Sequence, residues 1–195
     1  SNGIDLKEYA PNPATQASLR EQFSIKEGEK FVMGVGFPFE RKGIQDFFEV
    51  ARQFPTIKFI WFGYLSPWIT NDKVKRWVKK RPANAIMAGY CKGELIHGAY
   101  QCASALFFPS YEETEGIVVL EALASKTPLL VRDIGVYDPW LHDGVDCHKG
   151  QNNAQFAEDL KNLFAHGEDP AILERGYAIA EERSLDKVGA ALKEA

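Results

Sequence analysis

Glu113 and Glu121 stand with seven residues between them around Gly116, in the segment YEETEGIVVLEALAS. The apolar run ALFFPS leads into this segment, and the helix-like run IVVLEALA closes it. A strand, an acidic loop and a helix in that order set one carboxylate in the loop and the other about one turn inside the helix. The backbone N–H groups of Gly116, Ile117 and Val118 fall between the two acids. A helix N-terminus presents free N–H donors and the positive end of its dipole, so it attracts an anion. Two hydroxyl-accepting carboxylates on either side of phosphate-binding amides suit a sugar joined to a nucleoside diphosphate. Glutamates also gather at helix starts simply to favour the dipole. Glu121, however, sits in an otherwise apolar run, where a solvated face would carry more polar neighbours. Pro109-Ser110 ends the strand at the loop, and that is where ligands bind in open parallel sheets.

Other strand ends add candidates. In VGFPFERKGI, Gly36 closes a strand and Arg41 and Lys42 stand at the entrance of the next helix. Cations beside a close-approach glycine backbone suit a diphosphate, although an isolated Arg-Lys pair equally well solvates. Gly63-Tyr64 and Gly89-Tyr90 each place a glycine and an aromatic ring at a strand end. Either ring could face a nucleobase, or be half-buried with a wet hydroxyl. The stretch NDKVKRWVKKRP sets Lys73, Lys75, Arg76, Lys79, Lys80 and Arg81 around Val74, Trp77 and Val78, with Trp68 nearby. A helix of this pattern either lies on an anionic membrane or packs its apolar stripe on a sheet while its lysines stay wet. The second is the commoner fate of a charge run. In VRDIGVYDPWLHDGVDC, Arg132 and Asp133 suggest a local ion pair and Asp143-Gly144 a turn.

The bulk properties set bounds. A chain of 195 residues fits one domain with a proper core. Its net charge of −4 argues against a general nucleic-acid binder. Cys91, Cys102 and Cys147 are odd in number and form no CxxC pair, which points to a reducing, cytoplasmic setting. His97, His142, His148 and His166 are scattered, so no metal is expected. No apolar run approaches the roughly 20 residues that cross a bilayer.

The elements that must position these residues alternate. Strands are predicted over 30–36, 57–63, 84–89, 105–109 and 128–132, with an edge strand over 144–148. Helices are predicted over 13–23, 43–54, 71–80 and 93–103, from about 117, over 137–142, and then over 153–166, 170–183 and 185–194. Ile44, Phe47, Phe48, Ala51 and Phe54 follow helical spacing, while FIWF is a continuous apolar run suited to a strand covered on both faces. Such alternation predicts an α/β fold, a doubly wound parallel sheet of Rossmann-like type. Residues 1–12, rich in Gly, Asn and Pro, read as a connector, and 13–195 as the domain.

The segment PSYEETEGIVVLEALAS resembles the E-x7-E motif of glycosyltransferase family four, whose members have the GT-B fold. The Asn-Gly-Ile-Asp opening is similar to the segment that follows the interdomain linker in that family. The resemblance runs from there to about Gly150. With FIWFG and ERKGI it looks closest to the bacterial diacylglycerol glucosyltransferases. It implies a donor-binding half whose N-terminal acceptor domain lies outside this chain, and which alone transfers little. It implies a UDP-sugar donor, UDP-glucose above all, a retained anomeric configuration and no metal cofactor. The acceptor would be a membrane diacylglycerol and the setting the inner face of the membrane. Carried over by position, Glu121 binds the ribose hydroxyls, and Glu113 contacts the donor sugar and supports the breaking anomeric bond. Gly36, Lys42 and the amides of Gly116, Ile117 and Val118 hold the diphosphate, while the loops at Tyr64, Gly89 and Tyr90 border the nucleoside. The family's arginine directly after the strand-end glycine is Phe37 here, which leaves Arg41 to supply the second positive charge. A nucleotide-sugar epimerase of GT-B type and a non-catalytic flavodoxin-like domain are the rival readings.

Overall fold

The structure is a computed structural model describing residues 3–194, the side chains of 190–194 excepted. Ser1, Asn2 and Ala195 lie outside the described residues. The order is α1 (Leu6–Tyr9), α2 (Pro13–Gln22), β1 (Phe31–Val35), α3 (Ile44–Ala51), β2 (Lys58–Phe62), α4 (Asp72–Lys79), β3 (Ala85–Gly89) and α5 (Glu94–Cys102). β4 (Ala105–Phe108), α6 (Ile117–Ala124), β5 (Leu129–Arg132), β6 (His148–Gly150), α7 (Asn153–His166), α8 (Pro170–Glu182) and α9 (Leu185–Glu194) follow. The strands form one parallel sheet in the order β3-β2-β1-β4-β5-β6.

Strand alternation divides the apolar residues between two cores. Phe31, Met33, Ile60, Phe62, Leu106 and Phe108 point to the face covered by α1, α2, α5, α6 and α8. Val32, Phe59, Trp61, Ala105 and Phe107 point to the face covered by α3, α4 and α7. On that second face Phe47 meets Phe59, Trp61 and Phe107 with ring centroids 5.4, 5.1 and 5.8 Å away. Each such buried ring contributes about 1.5–3 kcal/mol. Helices on both faces explain why the strands are apolar throughout rather than alternating with polar residues.

Two predicted elements differ. Residues 137–142 form turns rather than a helix: Tyr137 and Leu141 are drawn into the core, and Trp140 N–H bonds back to Tyr137 C=O. The edge strand is His148–Gly150, not 144–148, because Gly144 turns the chain and pairing with β5 begins only at His148. The stretch read as a connector docks on the domain, where Ile4 and Tyr9 are buried. Among the described residues no helix is long and apolar enough to cross a membrane.

Candidate functional site

The chain runs outward from β1 to β2 and β3, then returns past β1 to begin β4. The C-terminal ends of β1 and β4 are therefore the switch point of the sheet, where the loops that follow them diverge. Loops 36–43 and 109–116 leave these ends and are stitched together. The carbonyl of Arg41 accepts from Tyr111 N–H at 2.7 Å and from Ser110 Oγ at 3.1 Å. Gly43 makes this approach possible. Its φ is +69°, and a Cβ there would lie 2.3 Å from the Pro109 carbonyl oxygen.

A cavity of about 220 Å³ opens between these loops. Lys42 and Glu113 line it, together with Gly36 and the 114–118 turn. Lys42 Nζ meets Glu113 Oε1 at 2.5 Å, with both side chains largely buried. α6 begins at Gly116 with no side-chain cap and no acid in its first turn. Its leading N–H groups thus face the cavity uncapped, beside one lysine and one carboxylate. Beneath Gly116 lies the buried Tyr137 hydroxyl, whose pKa is driven up first by burial and then by the Glu113 charge. It stays a neutral phenol.

A second cavity of about 170 Å³ adjoins the first, sharing Val35 and Gly36, and is lined mostly by apolar surface. Phe37, Gly63, Tyr64, Tyr90, Cys91 and Ile96 complete it. Two strand-end glycines line it and are tied to their neighbours: Gly36 N–H bonds Phe62 C=O and Gly63 N–H bonds Gly89 C=O. Gly63 cannot carry a side chain, because a Cβ would fall 1.9 Å from the Gly36 oxygen. Trp61 Nε1 fixes that same oxygen at 2.8 Å.

Glu121 lines neither cavity. It lies on α6 one turn beyond Ile117, on the same helix side, and is partly exposed. Tyr9 Oη donates to its Oε1 at 2.7 Å and Tyr100 Oη to its Oε2 at 2.6 Å.

The structure thus brings together Gly36, Lys42, Glu113, Gly116, Ile117 and Val118 in one cavity, and Tyr64 and Tyr90 in the next. Gly89 lines neither cavity; its carbonyl accepts from Gly63 N–H behind the second one. Arg41 does not join them. Its side chain turns to the outer side of the loop, where Nη1 reaches Glu112 C=O at 3.4 Å, so only its backbone serves the site. Arg132 is not paired with Asp133. Its buried guanidinium donates from Nε to Pro109 C=O at 3.0 Å and from Nη1 to Gln151 C=O at 2.9 Å. Nη2 makes no well-directed hydrogen bond, but approaches Asp46 as an ion pair at 3.2 Å, and the plane lies over Tyr111. Asp133 instead meets Lys149 at 3.5 Å. Sequence reasoning missed Tyr9, Tyr100, Phe37 as a wall and Arg132 as the anchor of the acidic loop. A lone arginine in the apolar strand LLVR was the available signal for the last.

The apolar residues of α4 pack inward: Val74 and Val78 are buried, and Lys73 lies over the Trp77 ring. This is the helix packed on a sheet with wet lysines. The loop before it is different, since Trp68 is 93% exposed and Ile69 59%. No histidine lines either cavity, and no three metal-ligating side chains cluster among the described residues.

Comparison with known proteins places the chain in a family and a fold. Residues 15–176 match the family described as Glycosyl transferases group 1. The whole chain is 47% identical to the processive diacylglycerol alpha-glucosyltransferase of Acholeplasma laidlawii, covering 58% of that protein. It is 27% identical over 177 residues to the alpha-galactosylglucosyldiacylglycerol synthase of Streptococcus pneumoniae, covering 88% of this chain and 46% of that one. The chain thus spans about half the length of these relatives. Anabaena Alr3699/HepE, solved in complex with UDP and glucose, superposes with a TM-score of 0.80 at 18% identity, over 100% of this chain and 56% of that one. The C-terminal domain of a group 1 glycosyl transferase (LpcC) from Francisella tularensis gives 0.73 at 20% identity, over 94% of this chain and 100% of that one. These likenesses establish the fold, a Rossmann-like domain as found in GT-B enzymes. On the match over 15–176 and the full-length relative, the chain belongs to the glycosyl transferases group 1.

Proposed function

We propose that this chain is the donor-binding half of a retaining glycosyltransferase that takes glucose from UDP-glucose to a membrane diacylglycerol. The observation that carries the reading is the paired cavity at the β1–β4 switch point. One compartment is charged and ends on uncapped helix amides; the other is apolar and aromatic. The charged compartment suits a diphosphate and its sugar, and the aromatic one suits uracil. Lys42 and the α6 amides stabilise negative charge on the departing UDP, a role fixed donors perform well in a partly buried site. Glu113 faces the sugar and supports positive charge at the anomeric carbon without acting as a nucleophile. The acceptor site belongs to a further domain, so this half alone binds donor weakly and transfers little. An epimerase would use carboxylates together with a histidine at the sugar, and no histidine lines either cavity.

Calorimetric titration tests the donor reading. UDP and UDP-glucose should bind in the presence of a chelator, and Glu121→Ala should weaken binding by roughly tenfold or more, the usual effect of losing a charged hydrogen-bond partner. A strict requirement for a divalent ion, or a Glu121→Ala protein that binds like wild type, would remove the assignment.

The exposed Trp68–Ile69 tip leaves the same sheet edge as the cavities. Arg76 and Lys79 on the adjoining α4, and Lys80 just after it, have no ion pair among the described residues. An apolar tip beside unpaired cations suits an anionic membrane surface, where the acceptor would reside. The full-length protein should co-sediment with anionic but not zwitterionic vesicles, less so at high salt, and Trp68→Ala should reduce the bound fraction. Salt-insensitive or absent sedimentation sinks this part of the reading.

A further inference from the structure

We propose that Tyr9 and Tyr100 are positioning residues that aim the Glu121 carboxylate at the donor's ribose. The inference rests on the reading above, in which Glu121 accepts from the ribose hydroxyls. Each carboxylate oxygen can accept two hydrogen bonds. Here each receives a single tyrosine hydroxyl, at 2.7 Å on one oxygen and 2.6 Å on the other. One acceptor position therefore remains on each oxygen, a pair suited to the two adjacent hydroxyls of a ribose. With both oxygens already held, the carboxylate cannot rotate about its terminal bond, so the remaining acceptors keep a fixed direction.

The tyrosines are built to hold still. Tyr100 is 1% exposed, and its backbone carbonyl is tied by Thr127 Oγ1 at 2.6 Å. Tyr9 is buried against it, ring centroids 5.8 Å apart, and against His97 at 4.9 Å. Burial, then the Glu121 charge, drives both phenol pKa values up, so both remain neutral donors across the working pH range. Glu121 itself is partly exposed on the side of α6 that carries Ile117, so the carboxylate is held from beneath by the two hydroxyls while its other side stays open. The two donors also come from distant parts of the chain. Tyr100 lies in the last turn of α5, whereas Tyr9 lies on α1, ahead of the first strand. The segment leading into the domain is thus joined to the nucleoside end of the site through one carboxylate.

The test compares UDP with its 2′-deoxy and 3′-deoxy analogues by calorimetry, on the full-length wild-type, Tyr9→Phe and Tyr100→Phe proteins. Wild type should prefer UDP by about tenfold or more. Each Phe variant should lose most of that preference by binding UDP more weakly, while its affinity for the deoxy analogues stays at the wild-type value. Variants that keep the full preference, or weaken UDP and the analogues alike, overturn the proposal and leave the tyrosines as structural residues. Absence of any preference in wild type overturns the ribose reading itself, and this inference with it. Should Tyr100→Phe fold poorly, the less deeply buried Tyr9→Phe carries the comparison.

Discussion

Replacing Glu113 with glutamine in the full-length enzyme should lower turnover by about 10²–10³-fold while leaving UDP affinity unchanged or slightly improved. The magnitude is that of removing one fixed charge-stabilising group from a partly buried site, the role proposed above for Glu113. The direction of the affinity change follows from the ion pair. Lys42 Nζ is held by Glu113 at 2.5 Å, so on the proposed reading a diphosphate would compete with the carboxylate for the ammonium. Glutamine keeps the size of the side chain but removes the competing charge, leaving Lys42 free for phosphate. Steady-state rates with saturating donor, beside calorimetry with UDP, separate the two effects. Equal losses in turnover and UDP affinity would demote Glu113 to an ordinary binding residue.

Asp46→Ala should cost about 3–5 kcal/mol of stability, because it strands the charge of a buried arginine. Arg132 is 6% exposed and faces Asp46 at 3.2 Å from Nη2. Its other nitrogens hold the carbonyls of Pro109 and Gln151. For a domain of this size each kcal/mol lowers the melting temperature by roughly 2–4 °C. A double substitution, Asp46→Ala with Arg132→Met, should recover only part of the loss, since it removes the stranded charge but also leaves the Pro109 and Gln151 carbonyls without their donor. Thermal melts of the three proteins decide the matter: a single-variant shift of only a degree or two would show that water reaches the guanidinium and that the pair contributes little. Because Arg132 Nε bonds the end of β4, the same substitution should also loosen the loop carrying Glu113.

The fold was legible because its signals are local. Phe47, Phe48 and Ala51 repeat at helical spacing, FIWF is a continuous apolar run, and Gly36, Gly63 and Gly89 end strands where backbones must meet closely. The motif residues Lys42, Glu113 and Gly116–Val118 came together because the order of elements forces β1 and β4 side by side. What stayed hidden depends on contacts between segments far apart in the chain. Nothing near Tyr9 announces Glu121, which lies 112 residues later. Arg132 was paired with its neighbour Asp133, yet Arg132, the last residue of β5, turns into the buried space by Pro109 and Gln151, while Asp133 follows the strand and meets Lys149. The 137–142 stretch carries the apolar residues of a helix, but Tyr137 and Leu141 serve the core better from turns. Arg41 was expected inside the site for its charge, whereas its contribution is a carbonyl oxygen.

That last detail has consequences for tolerance to change. The contact holding the two loops together runs through a main-chain acceptor at position 41, which every amino acid possesses. Side chains there are free to drift in size and charge without unfastening the crevice. The same freedom does not extend two residues further on, where any atom beyond hydrogen on the α-carbon would collide with Pro109. One position absorbs variation and its near neighbour admits none, although both serve the same join.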